Sequence, residues 1–586
     1  MAEKINSKRF PVVALWVFIL ILLVYTRFVN LGWGLPHPMH PDERNMANSI
    51  MQLSCVMPEV TLNLPKTISG EWDIFNWVKV SEFDIAGCFN PNFFAYGQFP
   101  LYFGYLLSFI LKFLFSNSGT AITFEEATLS LRLISAAASV TTVFVVSNLV
   151  GLYYNDKHKQ SIAGILTALA ITFAPYAIQF AHFGTTESLL MLYYSTLVYL
   201  SVKFVSKKIT DLSFVSMASV VMGVALATKV SAAVFIIVPL VALFAADNSR
   251  LHYPFMYRLG KKIIDSGFLA LFSVVIFLFL SPHILLDTND FIGALRYESD
   301  VALGRYVAFY TRQFVDTVPI VFQVEKIFPY ALGVTGFVLF VFGFFWLSWS
   351  NLKTNLLRLA FLSYFLINAF MYAKWSRFMA PVFPLMTAFA VMFISNVFEK
   401  NKSEKFLYAL KTFLAAVLVV AMILPGAAYL SIYAQKDVRT QASEWIYENI
   451  PEYSYILSET ANVVDIPVYI PGTRPIGYTV ISFNFYDLDQ DPNLQEELNS
   501  HLEKADYIFV PSRRLFSNHR SPNFPMVNRY YEDLFSGRMG FEKVAEFSSF
   551  PKLEVGGKTL LEFPDEDAEE TWTVFDHPVI RIYKKS

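Results

Sequence analysis

The sequence predicts a polytopic α-helical membrane protein that ends in an α/β domain. Of its 586 residues, 55% are hydrophobic and 17% are aromatic, and the mean hydropathy is +0.43. That composition is too apolar for a soluble chain of this size. Apolar runs of membrane-spanning length recur as far as residue 430, after which short helix and strand patterns follow. The formal net charge of -2, with no basic domain, argues against a nucleic-acid-binding protein.

We predict eleven transmembrane helices with a cytoplasmic N-terminus. The apolar runs are 12–29, 128–152, 161–178, 188–206, 212–246, 264–281, 328–349, 356–373, 378–397 and 406–430. Because one span needs about 20 residues, we divide the run 212–246 at Lys229. The short loops rich in lysine and arginine then all lie on the cytoplasmic side. A further run, 99–115, would reverse this orientation if it crossed, so we expect an amphipathic or re-entrant helix in the outer interface.

Two domains follow from this division, a transmembrane domain over 1–432 and an extracytoplasmic α/β domain over 433–586. The first outer loop, 30–127, holds juxtamembrane helices and both cysteines, Cys55 and Cys88. A disulfide between them and two unrelated buried thiols are both compatible with the sequence, because the sequence does not supply their separation.

The tail has its own pattern of helices and strands. Apolar positions from Val438 to Ile450 mark one face of a helix that ends at Pro451. Residues 507–510 have the composition of a buried strand, a helix is expected over 527–535, and more strands are expected toward residue 583. We expect the acidic run 565–570 to be a solvated loop.

One short polar stretch after the first span is the main candidate for chemistry. It is Leu35-Pro-His-Pro-Met-His-Pro-Asp-Glu-Arg-Asn45. Pro41 suits the first position of a helix, and Asp42 and Glu43 complement the helix dipole there, so a capped helix start already explains them. Their predicted place at the outer edge of the bilayer adds a second interpretation, in which a lipid-borne substrate meets the carboxylates.

Polar groups also collect at the outer ends of the predicted helices. Snorkelling or headgroup contact explains any one of them. Together they suit a cavity for a phosphate-bearing lipid, with cations for the phosphate and a carboxylate for proton abstraction. The set is Asp42, Glu43, Arg132, His182, Glu187, Lys229, His283, Asp287, Arg296, Glu298, Arg305, Arg312, Lys374 and Arg377.

The sequence lacks the motifs of several soluble enzyme classes. It has no P-loop, no G-x-G-x-x-G at a strand–helix junction, no G-x-S-x-G and no H-E-x-x-H. His40 and Glu43, with His37, are the candidate ligands for a divalent metal ion, but their proline-broken spacing is not a metal signature. The sequence leaves use of a metal open.

Several stretches occur together in a known order. They are His40-Pro-Asp-Glu43, Phe94-Ala-Tyr-Gly-Gln-Phe-Pro-Leu-Tyr102, Leu131-Arg-Leu-Ile-Ser135, Ala181-His-Phe-Gly-Thr-Thr-Glu187, Leu226-Ala-Thr-Lys229, Ser376-Arg-Phe-Met-Ala-Pro381, Ala442-Ser-Glu-Trp-Ile446 and Val574-Phe-Asp-His-Pro578. In this order they resemble the membrane-embedded glycosyltransferases of the GT-C type that use polyprenyl-phosphate sugars. The protein O-mannosyltransferases (glycosyltransferase family 39) and the aminoarabinose transferases of lipid A are the most similar branches.

The resemblance implies roles for individual residues. Asp42 matches the acidic residue proposed as catalytic base, and Arg132 matches an arginine needed near the donor. Gly97 and Gln98 stand where the aminoarabinose branch has an acid–base pair, which argues against a lipid A role and against a metal site that relies on that acid. Glu187 stands where relatives often have Asp. The tail shows no sign of the β-trefoil insert of eukaryotic O-mannosyltransferases.

The resemblance also implies a function. It is inverting transfer of a mannose-like or other hexose or pentose from a polyprenyl or dolichyl phosphate to a hydroxyl of a protein, lipid or glycan. The reaction is expected on the extracytoplasmic face of a prokaryotic cell membrane. Lys229, Arg296 and Arg305 would stabilise the leaving phosphate, while the residues expected to bind or orient donor and acceptor are Glu43, Arg132, His182, Glu187 and Arg377.

Two other function classes remain open from the sequence. A secondary transporter or flippase of a lipid-linked or small anionic substrate also has charges among its helices. Its key charges are expected near the bilayer midplane with repeated halves, and this sequence shows neither. A membrane-anchored binding or assembly protein would explain the tail but not so many spans with polar outer ends.

Overall fold

The computed structural model describes residues 2–55, 60–62, 78–80, 87–115, 121–246, 254–397, 405–472 and 477–586. The helices are α1 (Ala2–Phe28), α2 (Pro41–Gln52), α3 (Phe99–Phe115), α4 (Phe124–Gly151), α5 (Lys157–Thr172), α6 (Pro175–His182), α7 (Glu187–Val205), α8 (Asp211–Thr228), α9 (Ile237–Ala245), α10 (Phe255–Leu280), α11 (His283–Leu286), α12 (Thr288–Leu303), α13 (Val321–Lys326), α14 (Phe328–Trp346), α15 (Leu352–Ala369), α16 (Phe383–Val397), α17 (Lys405–Ala434), α18 (Val438–Asn449), α19 (Pro492–Lys504), α20 (Arg514–Asn518), α21 (Pro525–Phe535) and α22 (Glu570–Val574). The strands are β1 (Val60–Leu62), β2 (Val78–Val80), β3 (Tyr455–Glu459), β4 (Thr479–Phe483), β5 (Tyr507–Val510), β6 (Phe541–Phe547), β7 (Lys552–Val555), β8 (Lys558–Glu562) and β9 (Ile580–Lys585).

Seven of the described helices are long and apolar enough to cross a membrane, and the bent pair α5 and α6 is an eighth candidate. The chain is an integral membrane protein. The three other predicted spans are also helical but shorter or more polar, over Val13–Phe28, Val230–Ala245 and α15. Each predicted apolar run therefore has a helix in its place. Arg250, Lys400 and Lys402 of the predicted cytoplasmic loops lie outside the described residues.

The helical structure is interrupted at Lys229, as the sequence predicts. Helix α8 ends at Thr228, Lys229 is extended, and a short 3-10 helix begins at Val230. Gly97 packs against this break, where its N–H donates to the carbonyl of Thr228 over 2.9 Å. A Cβ on Gly97 would lie 2.0 Å from the carbonyl oxygen of Ala227. No side chain fits there, which gives a physical reason for the absence of an acid at this position.

The loop between α1 and α4 contains a disulfide between Cys55 and Cys88, whose Cα atoms are 4.3 Å apart. This outcome decides between the two alternatives that the sequence left open. The bond joins the chain just after α2 to the segment that leads into α3. Helix α3 has 17 residues and packs beside α4, and Lys112 near its end pairs with Glu126 at 3.3 Å. Whether α3 crosses the bilayer stays a prediction.

The tail folds around a five-stranded mixed sheet in the order β4-β3-β5-β9-β6. Strands β4, β3 and β5 are parallel, while β9 runs antiparallel to both β5 and β6. Side chains alternate between the two faces, so that Ile508 belongs to one buried cluster and Phe509 to the other. Helix α18 covers the face of Phe509, and α19 and α21 cover the opposite face. The predicted α/β fold of the tail is confirmed.

The acidic run 565–570 is not a solvated loop, and that expectation is wrong. Asp565, Glu569 and Glu570 are only 5%, 1% and 1% exposed. Their charges are compensated by partners far away in the chain. Arg514 pairs with Glu570 at 2.9 Å, and Glu569 accepts a hydrogen bond from the backbone N–H of Ser376 at 3.0 Å. The run therefore docks the tail against the membrane helices.

The docking segment continues to a buried histidine between two carboxylates. The ring nitrogens of His577 lie 2.6 Å from Asp576 and 2.9 Å from Asp565. Asp576 also accepts hydrogen bonds from the hydroxyls of Tyr429 and Tyr433, at the end of α17. Burial alone would lower the pKa of His577, but the two carboxylates raise it to about 10.

We expect His577→Gln to destabilise the docked tail, because it leaves two buried carboxylates without their cation. The cost should be about 3–5 kcal/mol at pH 6. Since the folded pKa lies above the unfolded value near 6.5, the stabilisation is complete below about pH 6.5 and is lost as the pH rises through about 10. Thermal unfolding followed by fluorescence should therefore show that the unfolding temperatures of parent and variant converge as the pH rises from 6 to 10. A constant difference across this range would contradict the prediction.

Candidate active site

Asp42 lies at the start of α2, where the sequence places it. Pro41 is the first helical residue, and the Nδ1 atom of His40 accepts a hydrogen bond from the N–H of Asp42 at 3.1 Å. Burial and the nearby arginines 377, 514 and 132 hold the pKa of His40 well below its usual value. The ring is therefore neutral, as an accepting Nδ1 requires. This cap fixes the first turn and leaves the Asp42 carboxylate free to face outward from the helix.

The Asp42 carboxylate pairs directly with the guanidinium of Arg377. Arg377 stacks on the ring of Trp375, with its Cζ 4.7 Å from the ring centroid. Its Nε atom is buried and has no hydrogen-bond partner among the described residues. A buried guanidinium N–H without a partner is costly and indicates a place for an acceptor.

Two cavities meet at this ion pair. A mostly apolar cavity of about 300 Å³ holds Lys229 and is lined by aromatic and aliphatic residues of α12, α15 and the segment 94–96. A more polar cavity of about 280 Å³ holds Asp42. The residues that line both are Ala95, Tyr96, Glu298 and Arg377. The apolar cavity and the polar cavity therefore share a wall that carries the charged residues Glu298 and Arg377.

Lys229 lies on the apolar side of that wall. Its Nζ atom is 5.0 Å from the ring centroid of Tyr96 and 5.3 Å from that of Phe378. Cation–π contacts of this kind hold an ammonium in a poorly solvated place. Glu298 lies beside it, and desolvation by the enclosing walls raises the pKa of Glu298 although Lys229 opposes the shift. Its carboxylate has no hydrogen bond or ion pair among the described residues.

Glu43 and Arg132 lie beneath the cavities and line neither. Nε and Nη2 of Arg132 each donate to one Glu43 oxygen at 2.7 Å, and the N–H of Gly184 donates to the same carboxylate at 2.6 Å. Nη1 of Arg132 donates to the carbonyls of Leu31 and Trp33. This bidentate pair holds together α2, α4 and the loop after α1.

The remaining predicted residues do not join the cavity walls. His182 is buried, stacks on Tyr433 with ring centroids 3.8 Å apart, and has ring nitrogens near the carbonyls of Ile178 and Val29. Glu187 is buried at the start of α7, one turn before Leu190 of the apolar cavity. Arg296 is exposed on α12, and Arg305 is exposed with Asp300 at 3.4 Å. From the predicted polar set, the geometry brings together Asp42, Lys229, Glu298 and Arg377.

The candidate metal ligands fit a metal ion poorly. Both oxygens of Glu43 accept from Arg132, and Nδ1 of His40 accepts from the backbone. Over the part of the chain that the structure describes, no three His, Cys, Asp or Glu side chains come together in a metal-binding arrangement.

The structure adds residues that the sequence did not single out. The polar cavity is walled partly by the tail, through Asn462, Arg514, Thr571 and Phe575, and Arg44 donates to Asn462 at 3.3 Å. No local signal marks these tail residues, because their place depends on how the tail docks. Glu298 is different, since the sequence already includes it in the polar set at the predicted outer helix ends. The structure was needed only to show that this member of the set lines the cavities.

Comparisons with known proteins agree with this architecture. A family model described as dolichyl-phosphate-mannose-protein mannosyltransferase matches residues 110–285. No curated protein matches the chain. The apo oligosaccharyltransferase of Archaeoglobus fulgidus is 12% identical, covers 89% of this chain with 72% of its own, and has a TM-score of 0.50. ArnT of Cupriavidus metallidurans bound to undecaprenyl phosphate is 12% identical over 97% of both chains, with a TM-score of 0.45.

The resemblance drawn from the motifs is thus confirmed. The chain is similar to membrane-embedded glycosyltransferases of the GT-C type, in sequence over residues 110–285 and in fold over most of its length. The predicted fold class is confirmed as well: a helical membrane bundle followed by a C-terminal α/β unit.

Proposed function

We propose that this protein is an inverting glycosyltransferase that moves a hexose or pentose from a polyprenyl-phosphate carrier to a hydroxyl acceptor. The observation that carries the proposal is the meeting of an apolar and a polar cavity at the Asp42–Arg377 pair. A lipid-phosphate sugar has the same division, because its tail is apolar and its sugar is polar. The match of residues 110–285 to the mannosyltransferase family supports a donor of this class.

The donor phosphate would lie at the wall between the cavities. Lys229 faces it from the apolar side, and Arg377 has an unpartnered Nε–H to offer. Both groups lie in surroundings of low dielectric, where their attraction for an anion is much stronger than in water. The two cations therefore bind the phosphate and stabilise the charge that it gains on leaving.

Asp42 acts as the base in the polar cavity. The acceptor oxygen forms a bond to the anomeric carbon as the bond from that carbon to the phosphate oxygen breaks, and the acceptor proton passes to Asp42. The phosphate leaves as the polyprenyl monoester with the bonding electron pair, so no general acid is needed. Attack opposite the leaving group inverts the anomeric carbon.

The same proposal assigns the orientation and the division of the chain. The lysines 157, 208 and 353 gather at the ends of the helices far from Asp42, and the preference of lysine for cytoplasmic loops supports a cytoplasmic location of that end. The cavities and the tail are then extracytoplasmic, with the transmembrane domain over 1–432 and the tail over 433–586. In this proposal Glu43, Arg132 and His182 support the site through buried contacts, whereas Arg296 and Arg305 are exposed and line neither cavity.

The function is tested with purified protein in detergent and radiolabelled polyprenyl-phosphate sugars. A panel of mannose, glucose, galactose and aminoarabinose donors would be offered with a membrane extract as the acceptor source. Transfer from at least one donor, with release of polyprenyl phosphate, supports the proposal. No transfer from any donor would refute it, and uptake by proteoliposomes would then test the transporter alternative.

We expect Glu298→Gln to lower the rate of transfer roughly 10- to 100-fold while donor binding is retained. Glu298 lies on the wall of both cavities without a partner, so its carboxylate is free to orient the acceptor or the sugar. The charge-matched control is Glu325→Gln, on α13 away from both cavities. The measurement is kcat and KM for the donor. A raised donor KM with unchanged kcat would assign Glu298 to donor binding instead.

A further inference from the structure

A third cavity lies at the opposite end of the membrane helices. It has a volume of about 540 Å³ and forms between α1, α4, α5 and α7. Along α4, Arg132 and Gly151 are 19 residues apart, which corresponds to about 28 Å at 1.5 Å per residue. The cavity is therefore separated from the active site by most of the thickness of a bilayer.

The charged residues that line this cavity are both lysines. Lys157 at the start of α5 and Lys208 after α7 both line it, and neither has an ion-pair partner among the described residues. Lys353 lies close enough to Lys208 for their charges to lower the pKa of Lys353, beyond the effect of its burial. The neighbouring acid, Asp156, is engaged in capping α5 through the N–H of His158 at 2.8 Å.

A buried hydroxyl faces the same cavity without a partner. Ser147 is 5% exposed, and its Oγ has no hydrogen-bond partner among the described residues. A buried polar atom of this kind is rare in a folded protein and indicates a missing acceptor. Because Ser147 belongs to α4 and the lysines to other segments, three separate parts of the chain converge on one place.

The cavity opens beside a lipid-facing surface. Trp16 and Tyr199 line it, and amphipathic aromatic residues of this type favour the level of the lipid headgroups. Next to them Val17, Leu20 and Phe144 are exposed on α1 and α4, where the acyl chains of the bilayer would cover them. A ligand that reaches this cavity along the protein surface is thus a lipid.

We propose that this cavity binds the phosphate of an anionic phospholipid in the leaflet opposite the active site. Lys157 and Lys208 neutralise the phosphate, Ser147 donates a hydrogen bond to it, and Trp16 and Tyr199 flank the glycerol region. Basic pockets between transmembrane helices are a recognised way of holding anionic headgroups. The site is independent of the glycosyl-transfer proposal.

The test is native mass spectrometry of the full chain titrated with phosphatidylglycerol or phosphatidylcholine of identical acyl chains. The parent should prefer phosphatidylglycerol, and Lys157→Gln combined with Lys208→Gln should weaken its binding about tenfold or more. Two control variants accompany the test. Lys411→Gln removes a charge from α17 at the same end of the membrane helices as the cavity. This variant should bind phosphatidylglycerol as well as the parent does.

Gly151→Met fills the cavity without removing a charge. Nothing lies within 4 Å of a Cβ added to Gly151, so the variant should fold and still lose phosphatidylglycerol binding. Equal binding by the parent and the lysine double variant would overturn the proposal. Displacement of the lipid by millimolar glycerol phosphate would also overturn it, because the ligand would then be a soluble phosphate.

Discussion

Asp42→Asn should reduce the rate of sugar transfer by about 10²–10⁴-fold, the usual contribution of a positioned general base. Asparagine keeps the size of the side chain and can still accept a hydrogen bond from Arg377, but it does not take a proton from the acceptor. The expected loss is in kcat, with donor binding largely retained through Lys229 and Arg377. The measurement is the initial rate of transfer with whichever donor of the panel the parent protein uses.

Two controls separate a missing base from a damaged fold. Asp300→Asn removes an acid of α12 that pairs with Arg305 just after the helix, and this variant should leave the rate of transfer unchanged. The unfolding temperature of Asp42→Asn should stay close to that of the parent, because the His40 cap uses the backbone N–H of Asp42 and not its carboxylate. A folded Asp42→Asn variant with parental activity would assign the base to another group.

Breaking the Glu43–Arg132 pair should cost about 3–5 kcal/mol of stability, the largest such effect that we expect in the membrane domain. Both residues are essentially inaccessible, at 1% and 0% exposure. Glu43→Gln leaves a buried guanidinium without a counterion, and Arg132→Met leaves a buried carboxylate. Each single variant should lower the thermal unfolding temperature and the monodisperse fraction after purification.

The double variant Glu43→Gln with Arg132→Met, which combines the two single substitutions, gives the diagnostic result. Removal of both charges avoids an uncompensated ion, so the double variant should be more stable than either single variant. The matched control is Glu444→Gln, which breaks an exposed pair with Lys436 and should cost less than about 1 kcal/mol. Additive losses in the double variant would show that the two residues act separately.

The local features of this chain were predictable and the docking of its parts was not. The break at Lys229, the cap before Asp42 and the strand 507–510 follow from apolar run length, helix-start residues and side-chain pattern. These depend on neighbours in sequence. The acidic run 565–570 is buried because Arg514 and Ser376 meet it from other parts of the chain. No window of sequence contains that information.

The charged residues of α12 also show that a local pattern does not decide which side chain faces a cavity. Arg296 and Glu298 are two positions apart on α12 and therefore point about 200° apart around its axis. Only the packing of α12 decides which of them faces the cavities, and it is Glu298. The sequence marks both residues as members of one polar set, but it does not rank positions within one helix.

Because the tail supplies part of the polar cavity, the proposed active site is completed late in biosynthesis. Asp42 leaves the ribosome early, whereas Arg514, Thr571 and Phe575 follow only after every membrane helix has been made. N-terminal parts of a chain generally fold first, so a nascent chain would hold its base before it holds a closed cavity. If the proposed function is right, a translation intermediate without a docked tail leaves the polar cavity open to water, so we expect transfer only after the tail has docked.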